Sequence, residues 1–274
     1  MPSLPVIEPD QVRHAKNAPD GGAFDAPATG EQDAARVDYL CRLGDDALIL
    51  GQRLSEWCGH AAVLEVDLSL ANLALDLVGQ ATHFLSEAGD ADQLAFHRDV
   101  LDYKNCWLVE QPNGDFGRTI ARQFLFSTWQ HMLYSALTAS SDAAIAAIAA
   151  KGVKEVAYHR EIAAEWVIRL GDGTKASAHR MAEGLDWNWR FVPELFEVDE
   201  VLAGLIESGV AADPRLFEVE YRAEVARVLS EAKLEVPGEQ RPIFGGRRGH
   251  HSEHLGHLLA VMQHIPRTYP DAAW

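Results

Sequence analysis

A carboxylate and an imidazole three residues apart on a helix share one face and can converge on the same metal ion. Two such Glu-x-x-His pairs, with one further Glu from each of two other helices, build the di-iron or di-manganese centre found in some long four-helix bundles. The 274-residue chain carries fragments of that set but neither pair. Asp76 is followed at three by Gly79 and at four by Gln80, with His83 seven away. Glu155 is followed at three by Tyr158 and at four by His159. Glu155 and His159 can still share a face, and Glu56 or Asp46 could supply a first helix. A third helix would bring Gln123, Gln130 and His131, but no carboxylate between Asp115 and its end. Lys151 and Lys154 stand within a turn of Glu155 and could neutralise it. The residues favour buried polar groups joined by hydrogen bonds or salt bridges over an occupied two-metal site.

A second cluster lies near the C-terminus: His250, His251, His254 and His257, then His264, with Glu253 among them. His250 and His254, or His254 and His257, would share a helix face, yet one short helix supplies at most two or three ligands. Helix capping, a pH-responsive surface or an interface contact fits this cluster better than a metal. Arg247 and Arg248, just before it, could hold a phosphate group. Trp57, Trp107, Trp129, Trp166, Trp187 and Trp189 read as core and interface residues rather than a cofactor cage. Trp187 and Trp189 with Phe191 and Phe196 form an apolar stretch able to anchor a partner. No nucleotide-binding glycine loop, Walker loop, nucleophile elbow or H-E-x-x-H motif occurs.

These side chains must be positioned by helices. Leu64, Leu68, Ala71, Leu75, Val78, Thr82 and Leu85 recur in steps of four and three, an apolar stripe along one helix. Leu70, Leu73, Leu77 and Phe84 add a second stripe, which predicts a helix in the middle of a bundle. Leu40, Leu43, Ala47, Leu50 and Leu54 mark a helix over 33–57 that stops at Gly59. Pro112-Asn113-Gly114-Asp115 is turn chemistry with Asp115 as a cap, opening a helix to about Ala139. Ser141-Asp142 caps the next, which runs to Leu170 and closes at Gly171-Asp172-Gly173. Shorter helices are predicted from Thr174 to about Asn188 and from Pro214 to Lys233. A glycine-rich basic loop over 237–249 leads to a last helix capped by Ser252. Four helices of about 25 residues would each span close to 37 Å. Their antiparallel packing predicts an all-α, long four-helix bundle with additional shorter helices, as one domain over 33–274. Residues 1–32, rich in Pro, Gly, Ala and Asp, bury too little to offset their ordering entropy and are read as a disordered arm.

Twenty-four basic against 41 acidic side chains give a formal charge of −17, which argues against nucleic acid and against an anionic membrane surface. With 47% hydrophobic residues, the composition is that of a globular protein. Three cysteines, Cys41, Cys58 and Cys106, show neither disulfide nor zinc spacing. The first residues do not have the pattern of a secretory signal, and no apolar window approaches 18 residues, so a cytoplasmic protein is expected.

Several segments, taken in order, resemble the C-subunit family of bacterial phenylacetyl-CoA epoxidases. They are Arg42-LGDDALILGQRLSEWCGH-Ala61, Asn72-LALDLVGQA-Thr82, Val109-EQPNGDFGRTIARQFLF-Ser127, Lys154-EVAYHREIAAEWVIRLGDGT-Lys175 and the stretch 253–264. The resemblance implies a ferritin-like fold with no di-iron centre of its own. It implies pairing with a homologous, iron-bearing A subunit, as a heterodimer that assembles further into a dimer of heterodimers. A reductase subunit with flavin and an iron–sulfur centre would supply electrons from NADPH. On that reading the chain is a structural subunit of an oxygenase complex in phenylacetate catabolism. No catalytic, cofactor-binding or metal-ligating residue is then assigned to it; Glu56, Asp76, Glu155 and His159 would be vestigial. The alternatives are a di-metal oxygenase or oxidase in its own right, and a stand-alone acidic scaffold.

Overall fold

Helix α1 (Glu31–Ser55) is buried almost without interruption from Tyr39 to Leu54, which puts it at the centre of the fold. The computed structural model describes residues 31–272. The expected arm over 1–32 lies outside them, apart from Glu31 and Gln32, which open α1. Helix α2 (Leu64–Ala88) packs antiparallel on α1 after a turn at Gly59, whose φ of 79° is the left-handed conformation that glycine accepts without strain. A second antiparallel pair follows: α5 (Phe116–Leu137) and α6 (Ala143–Gly171). These four helices are the expected long bundle, ferritin-like and all-α, and no strand occurs among the described residues.

The helix starts follow capping chemistry. The Asp115 carboxylate accepts from the Arg118 amide, and Asp142 accepts from Ala144 and Ile145. Arg36 of α1 reaches Asp142 as well, tying the first long helix to the start of the fourth. Ser252 stands at the expected start of α10 (Glu253–Met262), but its hydroxyl makes no cap bond. The helix predicted from Thr174 is α7 (Lys175–Trp189), and Thr174 is its N-cap. The helix predicted from Pro214 splits into a 3-10 turn over Pro214–Phe217 and α9 (Glu218–Glu231). Pattern reading leaves out α3 (Ala91–Phe96), α4 (Trp107–Glu110), α8 (Glu200–Glu207) and α11 (His264–Thr268), each too short to show a period.

The predicted place of α2 in the bundle middle is corrected. Its second stripe, Leu70, Leu73, Leu77 and Phe84, is buried, whereas Leu64, Leu68 and Leu75 of the first stripe are exposed. Two stripes side by side cannot both face one neighbour, and α1 with α5 already fills the centre.

Helices α5 and α7 cross where two glycines meet. A Cβ on Gly184 would sit 2.7 Å from the Arg118 Cα and 2.9 Å from the Gly117 carbonyl oxygen, so backbone, not a movable side chain, fills the space. Gly184→Val is expected to destabilise the fold by about 1–3 kcal/mol, read as a lower urea midpoint at unchanged slope.

Candidate functional site

In the bundle interior, where a two-metal centre would sit, α2, α5 and α6 bring together amides and a phenol. Gln80 donates from Nε2 to the Glu155 carboxylate at 2.9 Å. Its Oε1 accepts from Gln130 Nε2 at 3.1 Å and from the Tyr134 hydroxyl at 3.2 Å. Burial raises the Tyr134 phenol far above its ordinary range, so it stays a neutral donor. Two neutral amides, one phenol and a single carboxylate do not neutralise two divalent ions, and this donor set does not fit a di-metal centre. No group of three or more His, Cys, Asp or Glu side chains able to hold a metal occurs among the described residues.

Each candidate ligand has another occupation. Glu155 and His159 do share a face, yet α2 engages them separately: Gln80 takes Glu155, and Asp76 takes His159 Nε2 at 3.0 Å. Lys151 bonds His83 at 3.0 Å, in place of the expected neutralisation of Glu155. Glu56 lies away from the bundle centre, bound by Arg53 and Asn113. Gln123 is buried with neither amide atom bonded, and His131 is half-buried, its pKa lowered by burial and by Arg160.

The C-terminal cluster does not converge either. His250 and His251 precede α10, and only His251 is deployed inside, bonding Glu110 at 2.7 Å and the Tyr103 carbonyl at 2.9 Å. The arginine pair is no phosphate site. Arg247 is buried on Asp46 at 2.8 Å, with the Lys104 carbonyl at 3.0 Å, and Arg248 pairs with Glu197 at 2.7 Å. The aromatic stretch divides: Phe191 and Phe196 are in the core and Trp189 is half-buried, while Trp187 stays 39% exposed with Arg118 stacked 3.7 Å from its ring centre.

Four buried carboxylates tie the segment over 98–110 and the loop over 245–252 to the bundle, and pattern reading assigns them no role of this kind. Adjacent on α1, Asp45 holds Arg98 and the Lys104 amide, while Asp46 holds Arg247 and the Cys106 amide. Glu194 accepts from the amides of Trp107, Gly245 and Gly246 at 2.6–2.8 Å. Glu110 accepts from Asn105 at 2.9 Å and from the Ser252 amide at 2.6 Å, besides its His251 contact. The signal was present in Leu43-Gly44-Asp45-Asp46-Ala47-Leu48, since two acids inside an apolar run must find partners.

Fold and interior together define a ferritin-like helical bundle whose centre holds a hydrogen-bonded set of two amides, a phenol and one carboxylate. The phenylacetic acid catabolic protein family matches residues 24–274, and the chain belongs to that family. It is 48% identical over 242 residues to the C subunit of 1,2-phenylacetyl-CoA epoxidase from Escherichia coli (strain K12). The match covers 86% of this chain and 98% of that protein. Among the described residues, no helix is long and apolar enough to cross a membrane.

Proposed function

We propose that the chain is the non-catalytic structural subunit of a multicomponent phenylacetyl-CoA 1,2-epoxidase, pairing with the iron-bearing A subunit in aerobic phenylacetate catabolism. The observation that carries this reading is the neutral donor set of Gln80, Gln130 and Tyr134 around the single carboxylate Glu155. The similarity to the C subunit of an epoxidase supplies the complex. Iron chemistry then belongs to the A subunit, and flavin, an iron–sulfur centre and NADPH to a reductase. This chain's contribution is mechanical: a rigid bundle packed against the active one holds the iron ligands in place, and loosened ligand geometry costs rate. The assembly is a heterodimer, doubled into a dimer of heterodimers.

Metal analysis of the chain purified with and without its A partner tests the reading. The expected result is iron that follows the A subunit, with only trace metal on this chain alone. About two irons per isolated chain, with an oxo-bridge absorption band, would make it a di-metal enzyme in its own right.

A further inference from the structure

A small cavity of about 30 Å³ lies where α1 and α5 meet the segment over 194–214 and the buried Arg247. Three of its lining side chains keep a buried polar atom that no group among the described residues bonds: the Tyr39 hydroxyl, the Trp129 indole Nε1 and the Glu197 Oε2. Tyr39 and Trp129 are each 4% exposed, so bulk solvent does not serve them. The indole can only donate and the carboxylate oxygen can only accept, whereas the hydroxyl can do both. Burial raises the Tyr39 phenol far above its ordinary range, so it keeps its proton. The charged groups around the cavity are already paired. Arg42 holds Asp38 and Asp199, and Arg247 holds Asp46. Glu194 takes three backbone amides, and the other Glu197 oxygen takes Arg248.

We propose that this cavity is a built water site, in which one or two ordered water molecules bond Tyr39, Trp129 and Glu197 together; the inference does not depend on the pairing put forward above. Size, charge and hydrogen bonding each select that ligand. The volume exceeds the roughly 10–15 Å³ that one water requires and is far below the several hundred Å³ of a metabolite pocket. A cation would meet the guanidiniums of Arg42 and Arg247, and an anion the carboxylates of Glu194 and Glu197. An apolar molecule would leave three buried polar atoms unpaired, which is costly. Water is neutral, accepts from Trp129 and donates to Glu197. It thereby links α1 and α5 to the turn that ends at Glu197, beside the tie that Asp46 and Arg247 already make.

Two measurements on the full-length chain test this. A crystal structure is expected to show ordered solvent in the cavity, within about 3.2 Å of Trp129 Nε1, Tyr39 Oη and Glu197 Oε2. In solution, with isotope-labelled tryptophan, the Trp129 indole proton is expected to show cross-relaxation with a long-lived water. Trp129→Phe keeps an aromatic ring in place and should remove that one signal, leaving those of the other tryptophans unchanged. The crystallographic result stands independently of that variant, whether or not it folds. A cavity that is dry in the crystal and takes up xenon under pressure would overturn the proposal. Solvent that bonds none of the three atoms would overturn it too, as would a chloride ion in the cavity, recognised by its anomalous scattering.

Discussion

Replacing Arg247 by alanine is expected to destabilise the fold by about 3–5 kcal/mol, among the largest effects available in this chain. The guanidinium is buried against Asp46, and its charge also offsets Glu194. Burial raises the Asp46 carboxyl and Arg247 pulls it back, so removing the arginine leaves a carboxylate in a dry environment with one amide partner, Cys106. Arg247 also bridges the Arg42 and Lys104 carbonyls, and the loop over 237–249 would lose its link to α1. Urea unfolding measures the loss. The combined change Asp46→Asn and Arg247→Met should recover much of it, since a neutral pair of similar bulk carries no uncompensated charge. Arg248→Ala, which breaks a half-exposed pair with Glu197, should cost under about 1 kcal/mol. Equal losses at 247 and 248 would contradict the buried-pair account.

The same pair shows how far sequence reading reaches. Arg247-Arg248 looks like a basic, phosphate-ready dipeptide because spacing says nothing of what lies across the fold. Asp46 is 201 positions away, a separation no local pattern encodes. The long helices were legible because 22–29 residues give several turns of apolar period. Their caps, Asp115 and Asp142, were legible because capping acts within three residues. Short helices such as Trp107–Glu110 hold about one turn and carry no period. The bundle interior was half legible: the broken Glu-x-x-His spacing could be read directly. That Gln80 would link Glu155 on α6 to Gln130 and Tyr134 on α5 needed the helices placed beside one another. The misjudged α2 stripe has a related cause, since periodicity marks an apolar face without saying whether this chain or another covers it.

Replacing Glu110 by alanine should be comparably damaging, about 3–5 kcal/mol, because it leaves the His251 side chain and the amide of Ser252 without their acceptor. Glu110→Gln is the more informative change, since it keeps the bulk and removes the charge. Burial pulls the His251 imidazolium down, but the hydrogen bond and charge of Glu110 outweigh it, and the net pKa lies above the ordinary 6.5. A histidine raised in the folded state contributes stability that is complete below 6.5 and is lost as pH rises through the folded value. Glu194 acts in the same direction at lower pH. Burial pushes it from 4.5 up to about 7 against the pull of Arg247 and three amides, so its neutral form favours the fold and that contribution fades between those values. Glu194 is the same in the wild type and in Glu110→Gln, so the difference between their profiles isolates His251 even near pH 7, where Glu194 is half-titrated. As pH rises above 6.5 the wild type should lose more stability, and Glu110→Gln should show a flatter profile from a lower starting value. Parallel profiles for the two proteins would mean that the His251–Glu110 contact carries no proton linkage, and that Glu110 acts through its bonds to Asn105 and Ser252 alone.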